Sequence, residues 1–278
     1  MMPNVRRRTV RTIFLAAGMP RLWRFRLLVI FLILAPTFLA ACEKEDESWE
    51  RIERAGVLRV GLDPTFPPFE EMVDSEVSGL DVDLARALGN ELGLEVEFVF
   101  FGYDGLYDAL ATKQVDVLIS ALVIVPGRMR DFAYSAPYFN AGEILVTTND
   151  STMEDMTSLA GKKLAVELGA QGHVEATKWA KRLPDLSILP YTSAAEALDA
   201  VVAGEADAAL VDGVSGRLYL KDKGISNLQR KSEPATMEPY AVVVRIEDET
   251  LLDKLDDALL TLTADGELDM LIERWLGM

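Results

Sequence analysis

Asp108-Ala-Leu-Ala-Thr-Lys-Gln-Val-Asp116-Val-Leu-Ile-Ser120 is matched 91 residues later by Asp199-Ala-Val-Val-Ala-Gly-Glu-Ala-Asp207-Ala-Ala-Leu-Val211. Each stretch reads as the end of a helix, a tight turn and a short apolar strand, with the same two aspartates in place. A unit of this kind used twice implies two α/β lobes of similar build. In open α/β sheets ligands sit beyond the carboxyl ends of the strands. That rule puts Ser120 and Ala121 of the first unit, and Asp212 of the second, at candidate ligand positions.

Outward from the repeat, short apolar strands alternate with amphipathic helices. Val57–Leu62, 95–101, 116–121, Glu143–Thr148, 164–167 and 208–211 read as strands. Stretches 81–92, 103–112, 173–182, 193–203 and 214–223 read as helices. Ser193 followed three residues on by Glu196 predicts a capping box. The stretch 248–276 reads as helical with a break at Asp265-Gly266. Alternation of this sort argues for parallel sheets covered by helices.

The N-terminus reads as an export signal. Seven arginines and no acid precede Leu39-Ala-Ala-Cys42, and the run 27–41 is apolar but broken by Pro36 and Thr37. That is short of the ~20 apolar residues a membrane span needs, and it fits a signal peptide cut before Cys42. The sole cysteine would then be the lipidated first residue of the mature chain. Met19 is a plausible alternative start, and Glu43-Lys-Glu-Asp-Glu-Ser48 reads as an acidic tether. The expected product is extracytoplasmic, anchored to the membrane through lipid on Cys42.

Charge excludes some partners. The chain carries 28 basic and 45 acidic residues, net −17, and loss of the seven leader arginines takes it to 21 against 45. A surface this acidic repels nucleic acid, so no nucleic-acid partner is expected. Catalytic and metal patterns are thin: one histidine, His173, no Gly-x-Ser-x-Gly elbow, no phosphate-binding glycine loop and no EF-hand. No cofactor or metal is expected. Three polar residues stand apart because each follows a strand. Asp63 opens the stiff aromatic loop 64–69, Arg128 closes Val125-Pro-Gly-Arg128, and Asp212 ends the strand of the second repeat unit.

At these residues the chain resembles the family 3 extracellular solute-binding proteins, which deliver polar amino acids to ABC importers. Gly56-Val-Leu-Arg-Val-Gly61, Asp63-Pro-Thr-Phe-Pro-Pro-Phe-Glu70 and Gly79-Leu-Asp-Val-Asp-Leu84 carry the resemblance first. Tyr103-Asp-Gly-Leu106, Asp131-Phe-Ala-Tyr-Ser-Ala-Pro-Tyr138 and Gly161-Lys-Lys-Leu-Ala-Val166 continue it, and Glu205-Ala-Asp-Ala-Ala-Leu-Val-Asp212 and Arg274-Trp-Leu-Gly277 complete it.

The resemblance implies a two-lobed periplasmic-binding-protein fold of type II, each lobe a mixed, mainly parallel sheet flanked by helices. Residues 49–141 with 240–278 would form lobe one and 142–239 lobe two, with hinge crossings near 139–141 and 237–240. It also implies that Arg128 forks onto a ligand α-carboxylate, that Asp212 takes the α-ammonium, and that Phe66 and Tyr103 sandwich the side chain. Asp63 would meet a polar or cationic side chain. The chain departs from the family at Val123 and at Ala170, where hydroxyl residues are usual. There the backbone N–H groups of the turn, or Gln171 and Glu167, would have to hold the ligand.

The expected protein is therefore a monomeric binder, not an enzyme, that hands a basic or amide amino acid to a permease. A dehydratase built on the same scaffold, with Glu167 or Glu175 as acid, is one rival. A ligand-sensing module for a membrane partner is the other.

Overall fold

The computed structural model describes residues 47–224, 227–231 and 234–277. The leader, Met19 and Cys42 lie outside the described residues. Ser48, read as the end of the tether, is the first residue of helix Ser48–Ala55.

Two five-stranded sheets have the same layout. The first runs Glu95–Phe100, Val57–Leu62, Val117–Leu118, Val243–Arg245, Phe132–Tyr134. The second runs Ser187–Tyr191, Lys163–Glu167, Ala208–Asp212, Glu143–Thr148, Leu228–Arg230. In each, the first three strands are parallel and the fourth runs against the third. The two members of the sequence repeat occupy the same third place. Their second aspartates do the same job: Asp116 accepts the backbone N–H of Arg59 at 3.1 Å and Asp207 that of Lys163 at 2.7 Å. Each thus fixes the start of the neighbouring strand. Asp116 takes on more, because the guanidinium groups of Arg51 and Arg59 also close on it at 2.7 and 2.8 Å. These hydrogen bonds hold its carboxyl below the usual range against the upward push of burial.

Burial explains the strand patterns. Leu58, Val60 and Leu62 are fully buried in the centre of the first sheet, as are Leu164, Val166, Ala208 and Leu210 in the second. Helices Leu80–Leu92, Glu249–Ala264 and Glu267–Leu276 cover the first sheet. Helices Gln171–Ala180 and Ala194–Val202 cover the second. Ser193 accepts the Glu196 N–H as its cap, but the Glu196 carboxylate turns to the backbone and hydroxyl of Thr192, so the box is only half reciprocal. No helix among the described residues is long and apolar enough to cross a membrane.

Between the sheets runs a two-stranded ribbon, in which Phe139–Asn140 pairs antiparallel with Pro239–Tyr240. Helix Gly213–Lys223 reaches across as well. Its Val214 and Leu218 pack against the first core, and Arg217 and Lys221 donate to the carbonyls of Gly277, Arg274 and Trp275.

The stretch 116–121 differs from its reading as a full strand. Only Val117 and Leu118 join the ladder. Ser120 and Ala121 turn away because Ala121 has a positive φ of 45° and gives its N–H to the buried Asp81 carboxylate at 2.5 Å. Strand Ser187–Tyr191 has no counterpart in the sequence reading, since Pro190 masks it; as an edge strand it tolerates a proline.

Candidate functional site

A pocket of about 380 Å³ opens where strand Val57–Leu62 and the turned segment at Ser120-Ala121 end, bordered by the returning ribbon. Asp63, Phe66, Tyr103, Ser120, Ala121 and Val123, all anticipated, line it. So do Thr65, Glu70, Glu238 and Tyr240, which were not assigned to the site.

Asp63 organises one wall. Its carboxylate accepts the backbone N–H of Tyr103 at 2.8 Å and the Thr65 hydroxyl at 2.9 Å, tying the aromatic loop to the turn that carries Tyr103. Phe66 lies flat against the buried Phe69, centroids 5.6 Å apart, and Phe69 is held edge-on by Phe139 and Tyr240. Yet Phe66 and Tyr103 remain 46% and 57% exposed. Core residues would be closed off, so these two rings present open faces that can stack on a ligand.

Beneath the floor lies a buried polar set. Ser120 accepts the Asp63 N–H at 3.0 Å and donates to Glu70 at 2.6 Å. Desolvation, then the Asp81 charge beside it, pushes the Glu70 carboxyl up to about 10, so it carries a proton at neutral pH. Burial raises Asp81 as well, offset by its bond from the Ala121 N–H and by Glu70. The buried Tyr138 hydroxyl joins the two acids in this set. Glu70 was within a quoted motif, but nothing in its spacing marked it as neutral.

On the second sheet, Asp212 ends its strand and caps helix Gly213–Lys223 through the Ser215 N–H at 2.8 Å. Ala170 precedes helix Gln171–Ala180 and supplies no side-chain cap. Gln171 is exposed at the helix start, Glu167 accepts the Ala194 N–H at 3.1 Å, and His173 accepts the Gly169 N–H. Ala170, Gln171, Asp212 and Arg128 do not line the 380 Å³ pocket. Asp212 is nevertheless near enough for its charge to act on Tyr240, a pocket residue.

Arg128 lies over the face of Tyr107, 4.0 Å from guanidinium carbon to ring centroid, and enters no ion pair among the described residues. The Tyr107 hydroxyl is fixed by that of Tyr134 at 3.1 Å. Stacking of this kind orients the fork without using its N–H groups, leaving them for a carboxylate. Among the described residues no group of three or more His, Cys, Asp or Glu is arranged to hold a metal ion.

Two like-built α/β sheets joined by a ribbon, with a pocket of convergent polar groups at the strand ends of the first, define the class of two-lobed binding proteins. The sequence model of the bacterial extracellular solute-binding proteins, family 3, matches residues 58–278, and the chain belongs to that family. It is 29% identical over 231 residues to the L-cystine-binding protein TcyJ of Escherichia coli, covering 82% of this chain and 85% of that one. Among solved structures it is similar to the L-cystine solute receptor of Neisseria gonorrhoeae in its unliganded open conformation. There the TM-score is 0.72 at 28% identity, over 82% of this chain and 96% of the receptor. An ancestral cationic amino acid solute binding protein matches with TM-score 0.59 at 33% identity, over 82% and 98% of the two chains. The fold read from the sequence, α/β in two lobes of type II, is that of these structures.

Proposed function

We propose that this protein captures an amino acid with a cationic side chain outside the cytoplasm and passes it to an ABC importer. The observation that carries the reading is the charge of the pocket. Its lining holds the carboxylates of Asp63 and Glu238 and no base, Glu70 being kept neutral by burial, and Asp212 acts on it from the second sheet. Arg128 takes the ligand carboxylate, Asp212 the α-ammonium, Phe66 and Tyr103 clasp the stem, and Asp63 or Glu238 faces the distal cation. Val123 and Ala170 offer no hydroxyl, so the N–H groups at the start of helix Gln171–Ala180 stand in.

Closure is a movement of lobe one (49–141 and 240–278) against lobe two (142–239) about the ribbon Phe139–Asn140/Pro239–Tyr240. The ligand drives it only by binding the closed form more tightly. Delivery needs no turnover, and Cys42 would carry the lipid that keeps the monomer at the membrane.

Cystine is the second reading, favoured by the two cystine-binding relatives. It also brings a second ammonium group to the acids. Its second carboxylate, however, would face them with no cation in the lining, which argues for arginine or lysine. Thermal shift against arginine, lysine, glutamine, glutamate and cystine tests this. Binding to the folded state alone adds about 2.7 kcal/mol at a hundredfold excess over Kd. Arginine or lysine should stabilise the protein, and Arg128→Ala and Asp212→Ala should each abolish the effect. Stabilisation by cystine alone would transfer the assignment to cystine, and stabilisation by glutamate alone would refute the charge argument.

A further inference from the structure

We propose that Glu143 is a specificity residue that completes, with Asp212, a two-carboxyl seat for the ligand's ammonium group; this rests on the cationic-ligand reading above. Glu143 opens strand Glu143–Thr148 and is the direct register partner of Asp212 on the antiparallel neighbour. Directly opposed residues of such a pair put their side chains on the same face, about 5 Å apart at Cβ. Both stand at the carboxyl end of strand Ala208–Asp212, the edge where ligands bind.

Two carboxyls opposed in register repel and destabilise the sheet unless a proton or a cation lies between them. The chain has gone further and buried one. Glu143 is 4% exposed, and its Oε2 has no hydrogen-bond partner among the described residues. Its surroundings were made to fit it: a Cβ on Gly172 would come within 2.6 Å of that oxygen. The Gly172 N–H, at the start of helix Gln171–Ala180, favours the ionised form without making a well-aligned bond.

The charged groups that act most on Glu143 are acidic and come from three segments. They are Asp212 on the adjacent strand, Glu238 on the returning crossing and Glu167 on the strand beyond. Desolvation, then these charges, moves the Glu143 carboxyl up to about 7. An unpartnered, half-protonated acid beside the ammonium acceptor is a poor structural element. Beside a cation it becomes an ion-pair partner. Ammonium binding favours the ionised form, so below about pH 7 the ligand must displace a proton, and affinity rises as pH passes upward through that value.

Calorimetry of arginine binding to the full chain tests this at pH 6.5 in phosphate and in bis-Tris, and at pH 8.5 in Tris, with wild type, Glu143→Gln and, as a control, a variant of the exposed Glu205, Glu205→Gln. Wild type and Glu205→Gln should release a fraction of a proton per ligand at pH 6.5 and bind several-fold more tightly at pH 8.5. Glu143→Gln keeps the shape and should release none, lose the pH dependence and bind roughly tenfold more weakly at pH 8.5. A purely structural role would alter unfolding temperature while leaving proton release intact. Wild-type binding with the same affinity and proton release in Glu143→Gln overturns the seat alone. No binding of arginine or lysine to wild type overturns the functional reading, and the seat with it.

Discussion

Asp63 illustrates how a residue can be found for one reason and matter for another. It was singled out as a carboxylate after a strand, facing a ligand side chain. Its two oxygens are already engaged by Tyr103 and Thr65, so it also shapes the wall that holds the aromatic rings. Glu70 is the opposite case: its position in the motif was plain, its protonation was not, because only burial against Asp81 creates it. Since its folded value, about 10, lies above the ~4.3 of an unfolded chain, the native state binds the extra proton between those limits. Stability therefore falls as pH rises across that window, by at most about 1.4 kcal/mol per unit. Urea unfolding at pH 5 and pH 9 should show Glu70→Gln losing less stability than wild type over the interval. Parallel losses would mean that Glu70 is ionised in the native state.

Among the elements, those with a clear period were legible. Val57–Leu62 and Glu143–Thr148 were read from apolar runs, and the break at Asp265-Gly266 from the glycine, which has a φ of 76°. Elements made by tertiary pairing alone were not. Val243–Arg245 and Phe132–Tyr134 are three residues each and acquire strand geometry from pairing with each other and, for the first, with Val117–Leu118. Glu238 and Tyr240 reach the pocket on the returning ribbon, which carries no motif, and so were read as hinge and not as site. Helix Gln171–Ala180 approaches its sheet through Gly172, where an added Cβ would meet Leu210 O at 2.7 Å and Glu143 at 2.6 Å. Gly172→Ala should therefore cost about 1–3 kcal/mol and weaken ligand binding, read by denaturant midpoint and by titration. An unchanged midpoint would show that the helix can retreat without loss.

At the scale of the whole molecule, the 91-residue repeat foretold a sheet layout used twice, because paired aspartates at the foot of a parallel strand serve the same backbone need in both lobes. What the repeat could not foretell is how the lobes are fastened, as helix Gly213–Lys223 begins at Asp212 and ends on the carbonyls of the last helix of the other lobe.

The acid lining of the pocket has one more consequence, and it concerns speed rather than affinity. A molecule of net charge −17 draws cations from a distance set by the ionic atmosphere, ~30 Å at 0.01 M salt and ~10 Å at 0.1 M. Stopped-flow capture of arginine should slow by roughly tenfold between those conditions, whereas glutamine, with no net charge, should arrive at nearly the same rate in both. Equal salt dependence would mean that encounter is not steered. If arginine alone responds, the acidic surface works as an antenna whose reach lengthens as the salt around it grows dilute.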